Sequence, residues 1–118
     1  MTRVALVVVA LVAAAGCKKK EEAPPKPAQP MSAAEIQRNT DACTQYVTAV
    51  CACAEKVATV ADQCKLAHAL PEAVQISLAT AQSPDSKPDI AAQAYAAVRK
   101  TAKECIEQTA KLPSLGCP

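Results

Sequence analysis

The chain has 118 residues, with 13 Lys and Arg against 11 Asp and Glu, two Tyr, and neither Phe nor Trp. Positions 31–118 carry eight basic and nine acidic side chains, so the net charge of +2 arises in the N-terminal segment. The absence of a basic, aromatic-rich face excludes a nucleic acid partner. A single small domain without large aromatic side chains needs additional stabilisation, and the seven cysteines are the candidates for it.

The first segment in chain order has the pattern of an export signal. Arg3 precedes twelve apolar residues at positions 4–15, and small residues lead to Cys17. A secretory signal has a positive start, an apolar stretch of about 7–15 residues and small residues at the cleavage point. A membrane-spanning helix needs about 20 apolar residues. The pattern therefore predicts a signal peptide over residues 1–16.

The residues Ala14-Ala15-Gly16-Cys17 resemble the lipobox of bacterial lipoproteins, although Ala14 stands where that motif usually has Leu. The resemblance covers residues 1–17 only. It implies cleavage before Cys17, a diacylglyceryl thioether on its sulfur and a fatty acyl chain such as palmitate on its new amino group. The alternative is an ordinary signal peptide, with Cys17 left unmodified in the mature chain.

The same resemblance implies a location. The protein would be exported and attached to a bacterial membrane, with membrane lipid as its partner through acylated Cys17. Lys18 is not the Asp that retains such proteins in the inner membrane of enteric bacteria, which favours the outer membrane, facing the periplasm or the cell surface.

A tether follows the predicted signal. Residues 18–30 contain four of the nine prolines, four Lys and few apolar side chains. Such a composition cannot bury a core, and at about 3.1 Å per residue it extends up to roughly 40 Å. We therefore predict a lipid anchor and disordered tether over residues 17–31, and a folded domain over 32–118.

In the rest of the chain, apolar residues recur at the spacing of one helix face. Ser32-Ala33-Ala34-Glu35 matches a capping box, in which each polar side chain binds the other's backbone amide. The apolar stripe behind it predicts a helix to about residue 57. A second helix begins near Thr59 and reaches about residue 82, kinked or split at Pro71.

The last predicted helix follows a loop over residues 83–88, begins at a cap from Ser86 or Asp89, and ends before Pro113. No glycine lies between Gly16 and Gly116, which disfavours β-hairpins. Matched helix lengths and short connections predict an all-α fold, an up-down-up three-helix bundle.

Seven cysteines leave one over in an exported chain, and lipid on Cys17 would account for it. The other six suit three disulfides in an oxidising compartment. Equal spacing about the first turn predicts Cys53–Cys64. Parallel first and last helices favour Cys43–Cys105 with Cys51–Cys117, whereas an antiparallel pair would favour Cys43–Cys117 with Cys51–Cys105.

The alternative use of the cysteines is metal binding. Three thiolates and one imidazole suit zinc, and a thiolate pair suits Cu(I). The candidate ligands are Cys51, Cys53, Cys64 and His68, although His68 also fits a partly exposed interface position.

Catalysis is not expected. The chain lacks Cys-x-x-Cys and Gly-x-Ser-x-Gly, and it has one histidine. The acid pairs Asp41/Glu55 and Glu104/Glu107 have the pattern of solvated helix faces. The sequence thus predicts a cofactor-free, membrane-anchored lipoprotein with a structural or protein-interaction role in the cell envelope, and an envelope protein is the candidate partner. The alternative is a thiol-based Zn or Cu(I) carrier.

Overall fold

The structure is a computed structural model that describes residues 30–118; the predicted signal peptide, Cys17 and nearly all of the tether lie outside the described residues. Within that range the chain is an all-α, disulfide-stapled three-helix bundle without strands, as predicted. The first helix is α1 (Ala33–Ala54). The second, which we call the middle arm, consists of a 3₁₀ turn (Ala58–Val60), α2 (Ala61–Ala67) and α3 (Ala69–Gln82). The third is α4 (Pro88–Lys111), which a second 3₁₀ turn follows (Leu112–Leu115). None of the described helices has the length and apolar character needed to cross a bilayer.

The start of α1 keeps half of the predicted capping box. The Glu35 amide donates to Ser32 Oγ at 3.2 Å, so Ser32 is the N-cap. The second predicted bond, from the Ser32 amide to the Glu35 side chain, is wrong. The Glu35 carboxylate instead accepts a hydrogen bond from Arg99 on α4 at 2.7 Å. Met31, assigned to the tether from sequence, is buried in the core beside the cap, and Ile36 packs against the same core. Met31 and Ile36 thus occupy the two positions of a hydrophobic staple.

Helix α1 ends at Ala54, earlier than predicted, and the amides of Lys56 and Val57 both bond to the Cys53 carbonyl at 2.9 Å. The middle arm is split, but at His68 rather than at Pro71. A proline ring clashes with the carbonyl four residues earlier. For Pro71 that residue is Ala67, the last residue of α2. Pro71 itself lies in the first turn of α3, where backbone amides need no helical partner.

The N-cap of α4 is Lys87, and neither Ser86 nor Asp89 caps the helix as predicted. Pro88 occupies the first helical position, where its fixed φ suits the helix and its missing amide costs nothing. Asp89 lies in the first turn, where its charge complements the helix dipole. The buried hydroxyl of Ser86 has no hydrogen-bond partner.

The first and last helices run in the same direction. Contacts between them have a nearly constant sequence separation: 62 for Cys43–Cys105, and 64 for Glu35–Arg99. A constant separation is the signature of a parallel pair, so the up-down-up order is confirmed. Helix α4 packs against both α1 and α3. The core of the bundle is built mainly from aliphatic side chains and cysteines; its largest fully buried side chains are Val50, Val60, Val74, Val98, Cys43 and Cys105.

Candidate functional site

All six cysteines in the described part of the chain are paired. The core disulfide joins Cys43 to Cys105, as the parallel arrangement predicted. The other two predicted pairs, Cys53–Cys64 and Cys51–Cys117, are wrong. The structure has instead a corner disulfide, Cys51–Cys64, and a C-terminal disulfide, Cys53–Cys117.

The exchange of partners follows from the helix geometry of α1. Cys51 and Cys53 are two residues apart, which turns their side chains about 200° from each other. Cys51 faces the middle arm and Cys53 faces the end of α4. The separation of Cys53–Cys117 is 64, close to the 62 of the core disulfide, whereas Cys51–Cys117 would be 66. The separation differs from that of the core disulfide by two residues for the observed pair and by four for the predicted pair, and so small a difference does not decide between the two pairs from the sequence.

A tight turn after α4 brings Cys117 back to α1. Gly116 has φ of 88°, in the left-handed region that favours glycine, and its amide bonds to the Pro113 carbonyl at 3.1 Å. The Cys117 amide bonds to the Leu112 carbonyl at the same distance. This left-handed cap ends the 3₁₀ turn and places Cys117 beside Cys53.

The three disulfides differ in their exposure. Both residues of the core disulfide are 0% exposed, and those of the C-terminal disulfide are 2% and 6% exposed. Cys51 and Cys64 are only half-buried. The corner disulfide is therefore the most exposed of the three.

His68 lies beside the corner disulfide. Its Nε2 is 3.7 Å from Cys51 Sγ, and the imidazole nitrogen and both sulfurs all lie within 4.8 Å of one another. We call Cys51, Cys64 and His68 the thiol–histidine cluster. It contains three of the four metal ligands considered from sequence. Cys53 is not among them, because it points to the opposite side of α1 and is bonded to Cys117.

Two features of the middle arm build the thiol–histidine cluster. Cys64 and His68 are four residues apart and share one face of the arm. Pro71 ends α2 at Ala67, so His68 stands at the break between α2 and α3, where its side chain is exposed. The spacing of Cys64 and His68 was readable in the sequence, but their approach to Cys51 was not.

A shallow groove of about 300 Å³ lies between α1, the middle arm and α4. Its walls combine Tyr46, Leu66 and Leu70 with the carboxylate of Glu104. Burial raises the pKa of Tyr46, and the negative charge of Glu104 raises it further. No local pattern in the sequence predicts this groove, because its walls come from four separate helices.

In each acid pair noted in the sequence, one carboxylate binds a side chain on its own helix. Asp41 accepts a hydrogen bond from Gln37 Nε2 at 2.8 Å, and Glu107 pairs with Lys103 at 3.7 Å. Each of these two carboxylates is engaged by a neighbour on its own helix, as on an ordinary solvated helix surface.

Comparison with known proteins returned no relatives: no family model, curated protein or solved structure matches the chain. Function must therefore be inferred from the residues themselves.

Proposed function

We propose that this protein is a lipid-anchored bacterial lipoprotein whose disulfide-stapled helical domain has a structural or protein-interaction role in the cell envelope. The observation that carries the proposal is the cysteine pairing. Six of the seven cysteines are bonded to one another, which leaves Cys17, the lipobox cysteine, as the seventh.

Three disulfides support export, since such bonds form and persist in oxidising compartments and are rare in the cytosol. Lipid on Cys17 would then hold the domain at the membrane. One acyl chain gives only marginal attachment, whereas two or more chains anchor a protein stably. The diacylglyceryl group and the additional amide-linked chain of a lipoprotein meet that requirement.

A protein-interaction role is supported by the surface of the helical domain. Leu66, Ile76 and Ile106 are 73%, 61% and 59% exposed, although each is a large apolar side chain. Leu66 also lines the groove between α1, the middle arm and α4. An envelope protein that covered these side chains would gain apolar burial, at about 25 cal/mol per Å².

The test of the anchor is substitution of the lipid-bearing residue. Wild-type protein should incorporate labelled palmitate and sediment with membranes. Cys17→Ser should abolish the label. An uncleaved signal could itself hold a Cys17→Ser chain in the membrane, so a second Cys17→Ser variant should carry an ordinary cleavable signal in place of residues 1–16.

That second variant should be released in soluble form from the envelope fraction. A matched control, Lys18→Ser, leaves Cys17 intact and should keep both label and membrane attachment. Palmitate labelling of Cys17→Ser, or membrane sedimentation of the variant with the cleavable signal, would contradict the proposal.

A thiol count on native protein separates this function from that of a constitutive thiol-based metal carrier. The stapled domain should show no titratable thiol among its six cysteines. Three or more thiols that Zn(II) or Cu(I) protects from alkylation would favour the carrier instead.

A further inference from the structure

We propose that the thiol–histidine cluster is a redox-gated metal site. Reduction of the corner disulfide would free the thiolates of Cys51 and Cys64, which, with His68 Nε2, would bind one thiophilic d¹⁰ cation, Zn(II) or Cu(I). Exchange with a small-molecule disulfide, which takes up two electrons and two protons to become a dithiol, would re-form the Cys51–Cys64 bond and release the metal. The inference goes beyond the proposed function and does not depend on the lipid anchor.

The first step is selective opening of the corner disulfide. Thiol–disulfide exchange begins with attack of a thiolate on a disulfide sulfur, so its rate depends on access to that sulfur. Cys51 and Cys64 are half-buried, whereas the four cysteines of the other two disulfides are at most 6% exposed. The corner disulfide also closes the shortest loop, with a separation of 13 residues against 62 and 64.

The bundle remains stapled when the corner disulfide opens. The core disulfide joins α1 to α4, and the C-terminal disulfide joins α1 to the segment that follows α4. The middle arm keeps its packing through Val60, Ala67 and Val74, each at most 2% exposed. The three ligands are thus held near one another by the fold as well as by the bond between the sulfurs.

A dithiol can supply the electrons and protons that reduction of the Cys51–Cys64 disulfide requires. The dithiol donates two electrons and two protons, is oxidised to its cyclic disulfide, and leaves one thiol on Cys51 and one on Cys64. Metal binding is then a proton exchange, because each thiol loses its proton as the sulfur–metal bond forms. Neutral His68 contributes a lone pair, and no further electron transfer is required.

The distances fit a metal centre. Bonds of about 2.3 Å to sulfur and about 2.0–2.1 Å to nitrogen at a tetrahedral angle separate sulfur from nitrogen by about 3.5 Å. The observed separation of Cys51 Sγ from His68 Nε2 is 3.7 Å. Once the disulfide is broken, rotation of the side chains can part the sulfurs to about 3.8 Å, as two metal-bound thiolates require.

The donor set decides the class of cation. Two thiolates and one imidazole are soft ligands that favour zinc and Cu(I) over magnesium or calcium. Because His68 is exposed, a fourth position stays open to water or to a ligand from outside. Three protein ligands with one open position is an arrangement that zinc adopts.

The test uses the full chain with Cys17→Ser, so that every thiol counted comes from the described domain. Limited treatment with a phosphine reductant, followed by alkylation and peptide mapping, should label two residues, Cys51 and Cys64. The reduced chain, freed of phosphine under inert gas, should bind one Zn(II) or one Cu(I) in competition with a chromophoric chelator, and separate titrations with the two cations establish which binds more tightly. Co(II) as a spectroscopic probe should give thiolate-to-cobalt charge-transfer absorption.

The decisive variant is His68→Ala, since this exposed residue can be removed without disturbing the core. It should keep the helical circular dichroism spectrum and weaken metal binding by more than the 10–100-fold typical of an outer-shell change. Cys51→Ser with Cys64→Ser should abolish binding, and Gln75→Ala, an exposed position on α3, should bind like the parent chain.

Three results would overturn the proposal: equal metal affinity of His68→Ala and the parent chain, equal binding by the oxidised and reduced forms, or first opening of the core or C-terminal disulfide. The anchor experiment measures lipid on Cys17, so failure of either proposal is distinguishable from failure of the other.

Discussion

Helix α1 carries two kinds of disulfide only two residues apart. Cys53 is 2% exposed and ties α1 to the C-terminal segment, whereas Cys51 is half-buried and ties α1 to the middle arm beside an exposed histidine. On the side where α1 and α4 pack in parallel, which we call the α1–α4 seam, both disulfides are buried. The α1–α2 corner is a short loop with one accessible bond. The same residue type thus has a structural role on one side of the helix and an accessible, chemically available position on the other.

The largest effect is expected in the α1–α4 seam. Replacing the core disulfide with Cys43→Ala and Cys105→Ala should lower the free energy of unfolding by about 4 kcal/mol, the chain-entropy value for a loop this long. The C-terminal disulfide constrains part of the same loop, which reduces the loss, but the cavity left at two fully buried positions adds to it. Urea unfolding at pH 7 measures the difference.

The matched control is the corner disulfide. Cys51→Ala with Cys64→Ala removes a 13-residue closure and should cost about 3 kcal/mol or less, with no core cavity. A corner variant less stable than the core variant would mean that the exposed bond, rather than the buried seam, holds the bundle together.

The next effect in size concerns side chains rather than disulfide bonds. Val98 on α4 is 0% exposed, so Val98→Ala should cost about 2 kcal/mol through lost burial and the cavity. Leu66 at the corner is 73% exposed, and Leu66→Ala should change stability by about 0.5 kcal/mol or less. Equal losses in urea unfolding would show that the corner carries packing that its exposure does not reveal.

A smaller effect is expected at the turn that delivers Cys117. Gly116 has φ of 88°, so Gly116→Ala should cost about 1–2 kcal/mol of backbone strain. Space is not the obstacle, since the added Cβ would lie 4.0 Å from the nearest atom, on Val57. Thermal unfolding measures the loss, and an unchanged midpoint would refute the argument from φ.

The smallest effect is expected at the ion pair of the seam. Hydrogen bonding to Arg99 holds the pKa of Glu35 below its ordinary value of 4.5. A lowered folded-state pKa stabilises the protein above the unfolded-state pKa, and this stabilisation is lost as pH falls through the folded-state pKa. Glu35→Gln should therefore be slightly less stable than wild type at pH 7, with the difference shrinking below about pH 4.5 and vanishing at more acidic pH. A gap that widened in acid would contradict this sign.

Much of the bundle was readable from local patterns. The apolar stripes located the helices, Ser32 marked the start of α1, and Pro71 marked the break in the middle arm, although the break itself falls one turn earlier, after Ala67. The predicted ends of the helices were less accurate than their positions. Helix ends depend on which backbone carbonyls accept hydrogen bonds. The amides of Lys56 and Val57, for example, both donate to the Cys53 carbonyl, and α1 ends there.

The site was only partly readable. Cys64 and His68 could be placed on one face from their spacing, because both lie on the same arm. Their contact with Cys51 and the groove beneath Leu66 depend on how the helices pack, to which no local pattern in the chain refers.

The sequence by itself determined the helical class, the three apolar stripes and an even set of six cysteines suited to three bonds. Only the tertiary structure decided which of Cys51 and Cys53 meets Cys64. Their side chains leave α1 about 200° apart, so the answer depends on which side of the α1–α4 pair the middle arm occupies. A chain can pass on either side with the same apolar stripes, and packing of the whole bundle selects one of the two arrangements.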